Sequence, residues 1–213
     1  MDDVYSSYIK TLIDRTTAAL QVCGFEALAA KDRDEARNKT LELIPAGSTV
    51  GAGGSVTLQE IGLIDALVSR GDTVYWSGAA KGGASPDFDY RKAQLTADVF
   101  LSSTNAITVD GDLVNVDGTG NRVAAMSFGP GKVIVVAGWN KIVSDVGAAF
   151  QRIRDVAAPL NAKRLKLDLP CVETGFCVDC DAPDSICRIT TVISRKPKRA
   201  DFTVVLVAEQ LGY

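Results

Sequence analysis

From Ser48 onward the sequence alternates short apolar runs with segments of helical period, and no other feature limits the fold as strongly. The runs 48–52, 73–76 and 98–103 have strand length, while 57–69 and 86–97 repeat apolar residues at helical spacing. Strands joined through helices run parallel, because the crossover returns the chain to the end of the sheet where the next strand starts. Ala106–Thr108 and Leu113–Val116 flank Asp110-Gly111, a pair suited to a type I′ hairpin turn, so an antiparallel ribbon is expected and the sheet reads as mixed. Lys132–Ala137 is a continuous apolar run of buried-strand length. Ser144 then opens a helix with Val146, Ala149, Phe150, Ile153 and Val156 on one face, which Pro159 closes. Thr190–Ser194 and Phe202–Val207 read as two final strands around the basic turn 195–199. The expected class is α/β, with a mixed, mostly parallel sheet flanked by helices.

The first 44 residues read differently. Val4, Tyr5, Tyr8, Ile9, Leu12, Ile13, Ala19 and Leu20 recur at spacings near three and four, which predicts an amphipathic packing helix over 4–20. A second helix starts at Asp32, with Glu35 reaching back to complete a capping box, and stops before Pro45. With 213 residues, 46% of them hydrophobic, and no repeat or linker, one domain spanning 1–213 is expected.

Composition removes whole classes of chemistry. The chain has no histidine, which excludes a Ser-His-Asp triad, a Cys-His dyad, His-ligated zinc and haem on an axial histidine. Any general acid or base is then a carboxylate, lysine, tyrosine or cysteine. A net charge of −3 gives no general attraction to nucleic acid. The acidic start Met1-Asp2-Asp3, and the lack of an apolar run near the roughly 18 residues of a membrane span, predict a cytoplasmic protein without a span.

Three regions carry candidate chemistry. Gly51, Gly53, Gly54 and Ser55 lie between a predicted strand and a helix capped by Thr57. Such a turn either cradles a phosphate or carboxylate on its backbone N–H groups or merely packs a helix on a sheet. Glu60, three residues after Thr57, completes a capping box or serves as a base. The second region joins Ser103, Thr104 and Asn105 to Gly118, Thr119, Gly120, Asn121 and Arg122. These follow predicted strands, where ligands of open α/β sheets collect, and Arg122 offers a planar fork for an anion; the alternative is that Asn and Asp tie their own turns while Arg122 neutralises a nearby carboxylate. Asn140 and Lys141 follow the strongest strand and close the same predicted pocket. In the third region Cys171, Cys177, Cys180 and Cys187 are separated by five, two and six residues. In a reducing compartment that grouping favours a metal centre, an iron–sulfur cluster or a structural zinc, over a disulfide framework or inert thiols. Cys23 reads as a small buried apolar residue.

The run Thr104-Asn105-Ala106-Ile107-Thr108-Val109-Asp110-Gly111-Asp112-Leu113-Val114-Asn115-Val116-Asp117-Gly118-Thr119-Gly120-Asn121-Arg122-Val123 closely resembles the central block of LUD-domain (lactate utilisation) proteins. Gly53-Gly54-Ser55-Val56-Thr57, Gly129-Pro130, Asn140-Lys141-Ile142-Val143, Arg152-Ile153-Arg154 and Ala158-Pro159-Leu160-Asn161 extend the likeness over nearly the whole chain. Pro170-Cys171, Thr174-Gly175, Cys177, Asp179-Cys180 and Ile186-Cys187 resemble a cysteine-bearing branch of that family. The resemblance implies a fold related to the sugar-phosphate isomerase, CoA-transferase and formyltetrahydrofolate cyclo-ligase group. It further implies a part in lactate oxidation as an accessory or electron-transfer subunit, and an iron–sulfur cluster in preference to zinc on the four cysteines. The partners expected are a small anionic ligand, with carboxylate or phosphate, and redox proteins; a homo-oligomer stays open. The alternatives are a stand-alone enzyme on a small phosphorylated or carboxylated substrate, with Lys141 or a carboxylate as acid/base, and a metal-stabilised binding or regulatory protein.

Overall fold

A computed structural model describes residues 3–76 and 89–213. The chain runs through α1 (Asp3–Val22), β1 (Glu26–Ala30), α2 (Arg33–Glu42), β2 (Thr49–Ala52), α3 (Val56–Glu60), α4 (Leu63–Arg70) and β3 (Thr73–Trp76). It continues with α5 (Tyr90–Gln94), β4 (Val99–Ser102), β5 (Ala106–Thr108), β6 (Leu113–Asp117), α6 (Asn121–Ser127) and β7 (Lys132–Gly138). A 3-10 turn (Trp139–Lys141) leads into β8 (Ile142–Val143), α7 (Val146–Arg152), a π-helical stretch (Ile153–Ala157) and α8 (Ala158–Arg164). Then come α9 (Pro170–Thr174), β9 (Ile189–Ile193) and β10 (Asp201–Val207).

Six strands form one sheet in the order β1-β10-β7-β4-β2-β3, every neighbouring pair parallel. Because side chains alternate along a strand, β7 sends Val133, Val135 and Ala137 to one face and Ile134 and Val136 to the other, all buried. On the second face Ile134 and Val136 meet Ala36 of α2, Leu58 of α3 and Leu63, Ile64 and Leu67 of α4. The first face is covered by Ile9, Ile13 and Leu20 of α1, by Met126 of α6, and by Ile107 and Leu113. Those last two belong to a second sheet, ordered β8-β5-β6-β9, whose other side packs Ala106 and Val114 on Ala149 and Ile153.

The expected α/β class and mostly parallel sheet are what the chain forms. The antiparallel hairpin, however, builds the small second sheet instead of joining the main one. Its turn also differs from type I′: Gly111 has φ +97° and Asp110 does not have a positive φ. Gly111 N–H donates to Thr108 O (2.9 Å) and Thr108 N–H to Asp112 O (3.0 Å), a three-residue loop ending on a left-handed glycine. Strand β1 lies in a stretch the sequence left unassigned; Glu-Ala-Leu-Ala-Ala becomes a strand only through its parallel pairing with β10.

The predicted 57–69 helix is broken at Gly62, which adopts φ +65° between α3 and α4. Of the predicted 86–97 helix, α5 lies within the described residues, whereas 86–88 lie outside them. Pro159 does not end the helix that begins after Asp145: the π-helical stretch widens the turn that its missing N–H and bulky ring disturb, and α8 continues. In the same segment Ala149, Ile153 and Ala157 are buried, while Phe150 and Val156 are partly exposed, so the apolar face is narrower than expected. Asp32 caps α2 by accepting from Glu35 N–H, and Glu35 reaches back to the Lys31 N–H at 2.7 Å.

Candidate functional site

Strands β10, β7, β4 and β2 are consecutive in the main sheet, so the segments leaving their carboxyl ends meet there. After β2 the chain turns through Gly53–Ser55 into α3; after β4 come Ser103–Asn105; after β7 comes the 3-10 turn with Lys141; after β10 the tail reaches Gly212 and Tyr213. Lys141 is 3% exposed and donates from Nζ to Ser103 Oγ (2.9 Å) and Thr57 Oγ1 (3.1 Å). The Gly212 N–H donates to Glu60 Oε2 at 2.7 Å. At Gly212, φ is +56° and an added Cβ would stand 2.6 Å from Thr57 Oγ1, so glycine is required for the tail to pass this close.

These segments border one cavity of about 270 Å³, which also reaches Gly118, Thr119, Asn121 and Arg122. Gly54, Ser55, Thr57, Ser103, Thr104, Asn105 and Lys141 line it as well. Among the described residues its charged lining is Arg91, Arg122, Lys141 and Arg164 against the single carboxylate Asp117, a positive pocket in a chain of net charge −3. Burial lowers the Lys141 ammonium to about 7, helped by the Arg152 and Arg122 guanidinium charges and opposed by Glu60. Burial likewise lowers Arg152 to about 10.

Four of the residues singled out in the sequence do not line the cavity. Gly51 serves α5 packing, since a Cβ there would lie 2.9 Å from Gln94 Cα. Gly53 continues the ladder through its N–H to Leu101 O and passes beside the Arg122 stem. Gly120 precedes α6 at φ +92°, where a Cβ would meet Ile189 at 2.8 Å. Asn140 clamps the tail, donating to Gly212 O (3.2 Å) and accepting from Leu211 N–H (3.1 Å). Ser55, and not Thr57, caps α3, by accepting from Leu58 N–H at 3.3 Å, so Glu60 completes no capping box and anchors the tail instead.

Arg122 is largely committed to structure. Its Nε donates to Asp117 Oδ2 (3.4 Å), Nη1 to Asn115 Oδ1 (2.8 Å), and Nη2 to Asn105 Oδ1 (3.1 Å) and Val116 O (2.7 Å). Burial pulls its pKa down while Asp117 pulls it up. Thr104 Oγ1, the Asn105 N–H and Arg122 all meet Asn115 Oδ1, which ties β5, β6 and α6 together. The tail residues Gly212 and Tyr213 escaped the sequence reading because the tail arrives at Glu60 from about 150 residues away with no local motif.

All four predicted metal-ligand cysteines are free thiols lining a second cavity of about 80 Å³. Cys171 sits on α9; Cys177 is held by its N–H on Arg154 O (3.0 Å); Cys187 follows Ser185, whose Oγ accepts its N–H at 3.2 Å. The Cys187 thiol is pushed up by burial and then by Cys177, Cys171 and Cys180; Cys171 is pushed up by burial and then by Cys180 and Cys177. The donor set of a thiolate centre is thus gathered around one space. Among the described residues no group of three or more His, Cys, Asp or Glu side chains is arranged to hold a metal ion. Ala158, Ile186 and Cys187 line both cavities, so the two share a wall.

An open parallel α/β sheet with a positive pocket at the carboxyl ends of adjacent strands is the class that fold and site define. The LUD domain matches residues 13–207, and the chain belongs to the LUD-domain family, which is associated with lactate utilisation. The fold is similar to the crystal structure of a DUF162 family protein from Deinococcus radiodurans, at 14% identity and TM-score 0.57, covering 94% of this chain and 98% of that one. eIF2B delta from Chaetomium thermophilum is a more distant likeness, at 18% identity and TM-score 0.36, covering 68% of this chain and 55% of that one. No curated protein matches the chain. Among the described residues no helix is long and apolar enough to cross a membrane.

Proposed function

We propose that this protein is an accessory or electron-transfer subunit in the oxidation of lactate or a related small organic acid. In this reading the larger cavity holds the carboxylate and Cys171, Cys177, Cys180 and Cys187 hold an iron–sulfur cluster. The observation that supports the reading is the shared wall: Cys187 borders both the positive pocket and the thiol cavity, so a cluster on the cysteines would stand beside an acid held in the pocket. A small carboxylate suits the pocket, because guanidinium and ammonium groups in a partly dehydrated recess compensate its charge. The four cysteines border one cavity of about 80 Å³, which brings the donors of a thiolate centre to one place. When bound, a cluster supplies one-electron transfer to a redox-protein partner.

Anaerobic purification followed by iron and sulfide reconstitution tests the reading, since air destroys exposed clusters and oxidises thiols. Expected are iron and acid-labile sulfide in the protein, a visible absorption that dithionite bleaches, and lactate binding by calorimetry. A folded protein that takes up neither iron nor sulfide overturns the electron-transfer reading. Zinc uptake alone would identify a metal-stabilised binding protein.

A further inference from the structure

Lys141 is more deeply buried than binding a carboxylate requires. Among the described residues its Nζ donates to two hydroxyls, Ser103 Oγ at 2.9 Å and Thr57 Oγ1 at 3.1 Å. Glu60, the carboxylate that acts on it, is held by the Gly212 N–H at 2.7 Å. An ammonium at 3% exposure with no contacting counter-ion among the described residues has lost its hydration for little return, and Arg122 and Arg152 oppose its charge further. Lys141 nevertheless lines the cavity, whose walls carry cations able to orient an acid. Nucleophilic lysines elsewhere share this setting of desolvation and neighbouring cations.

We propose that Lys141 is a nucleophile that forms an imine with the carbonyl of a small 2-oxo acid held in the cavity. The proposal rests on the reading of that cavity as a carboxylate site and adds covalent chemistry to it. The neutral amine attacks the carbonyl carbon; the N–C bond forms as the C=O π pair moves to oxygen. Ser103 or Thr57 passes a proton to that oxygen and recovers one from the nitrogen, giving a carbinolamine. The C–O bond then breaks and water departs with the second nitrogen proton, leaving C=N. The sum is amine plus carbonyl to imine plus water, with no oxidant or reductant. Lactate has no carbonyl, so the partner is the oxidised acid, and oxidation of a 2-hydroxy acid is the class of reaction that supplies it.

Pyruvate with sodium cyanoborohydride is the test, followed by digestion and mass spectrometry, with calorimetric titration of lactate and pyruvate in parallel. A carboxyethyl adduct is expected on Lys141, about tenfold or more above an ordinary lysine amine, because an amine at about 7 is far more neutral near pH 7 than one at the usual 10.5. Labelling should rise with pH and level above about 7, and Lys141→Arg should abolish it at that site while keeping a cation. Binding of lactate or pyruvate with labelling confined to exposed lysines overturns the nucleophile and leaves the carboxylate site standing. Binding of neither acid overturns both.

Discussion

Arg122 and Lys141 are two cations on one cavity with opposite roles. Arg122 spends one bond from Nε, one from Nη1 and two from Nη2 on Asp117, Asn115, Asn105 and Val116. A lysine cannot span these acceptors, so Arg122→Lys leaves buried oxygens unpaired and should cost about 2–4 kcal/mol, read by urea unfolding. The one Nη1 hydrogen outside these bonds is what a ligand can use, and lactate affinity should fall as well. Equal affinities for lactate and phosphate in both forms would assign Arg122 to structure alone. Lys141 predicts a pH effect of fixed sign. Its pKa is about 7 folded against 10.5 for an ordinary lysine, so between those values the unfolded chain binds more protons and stability rises with pH. Lys141→Met removes that slope, of about 1.4 kcal/mol per pH unit at most. The variant should therefore be the more stable form at pH 7 and lose its advantage toward pH 10, as parallel denaturation curves would show. A parallel pH dependence in both forms refutes the shift.

At the scale of elements, the pocket depends on how closely helices approach strand ends. Gly51 lets α5 lie on β2, with the space for a Cβ only 2.9 Å from Gln94 Cα, and Gln94 donates from Nε2 to Ala52 O and Tyr75 O. Gly51→Ala should force α5 outward and cost about 1–3 kcal/mol in chemical unfolding. An unchanged midpoint would mean that α5 yields freely. The same elements show what the sequence makes legible. Strands β2, β3, β4, β7 and β10 were readable from short apolar runs, because a parallel strand buried on both faces needs no polar alternation. Ser103, Thr57 and Lys141 were readable as a group because each follows a strand in a sheet whose carboxyl ends converge. Strand β1 was not readable, since Ala and Leu favour helix and only β10 makes them a strand. Nor was Gly212, whose contacts with Thr57 and Glu60 are long-range and leave no periodic trace.

For the whole molecule, the cysteine segment stands apart from the framework that carries the pocket. The three apolar clusters contain none of Cys171, Cys177, Cys180 and Cys187, although Leu169 just before them is buried. Backbone holds the segment in place: Cys177 N–H donates to Arg154 O (3.0 Å), Arg188 N–H to Asp117 O (3.1 Å), and Gly118 packs on Ile186. Replacing all four cysteines with serine should therefore leave the metal-free protein within about 2 kcal/mol of its original stability, at up to about 0.5 kcal/mol for each substitution outside a packed core. The same variant should lose all iron and sulfide uptake. In the unsubstituted protein loading should raise the unfolding midpoint, because a group bound only by the folded chain stabilises it by mass action. Comparing unfolding of both forms before and after anaerobic reconstitution separates the contributions. A variant that is several kcal/mol weaker before any metal is added would make the thiols packing residues, and equal iron uptake in both forms would place the metal elsewhere. If loading stabilises only the cysteine form, lactate affinity becomes the next readout, since Cys187 walls both cavities and a centre formed there alters the side of the pocket that faces the acid.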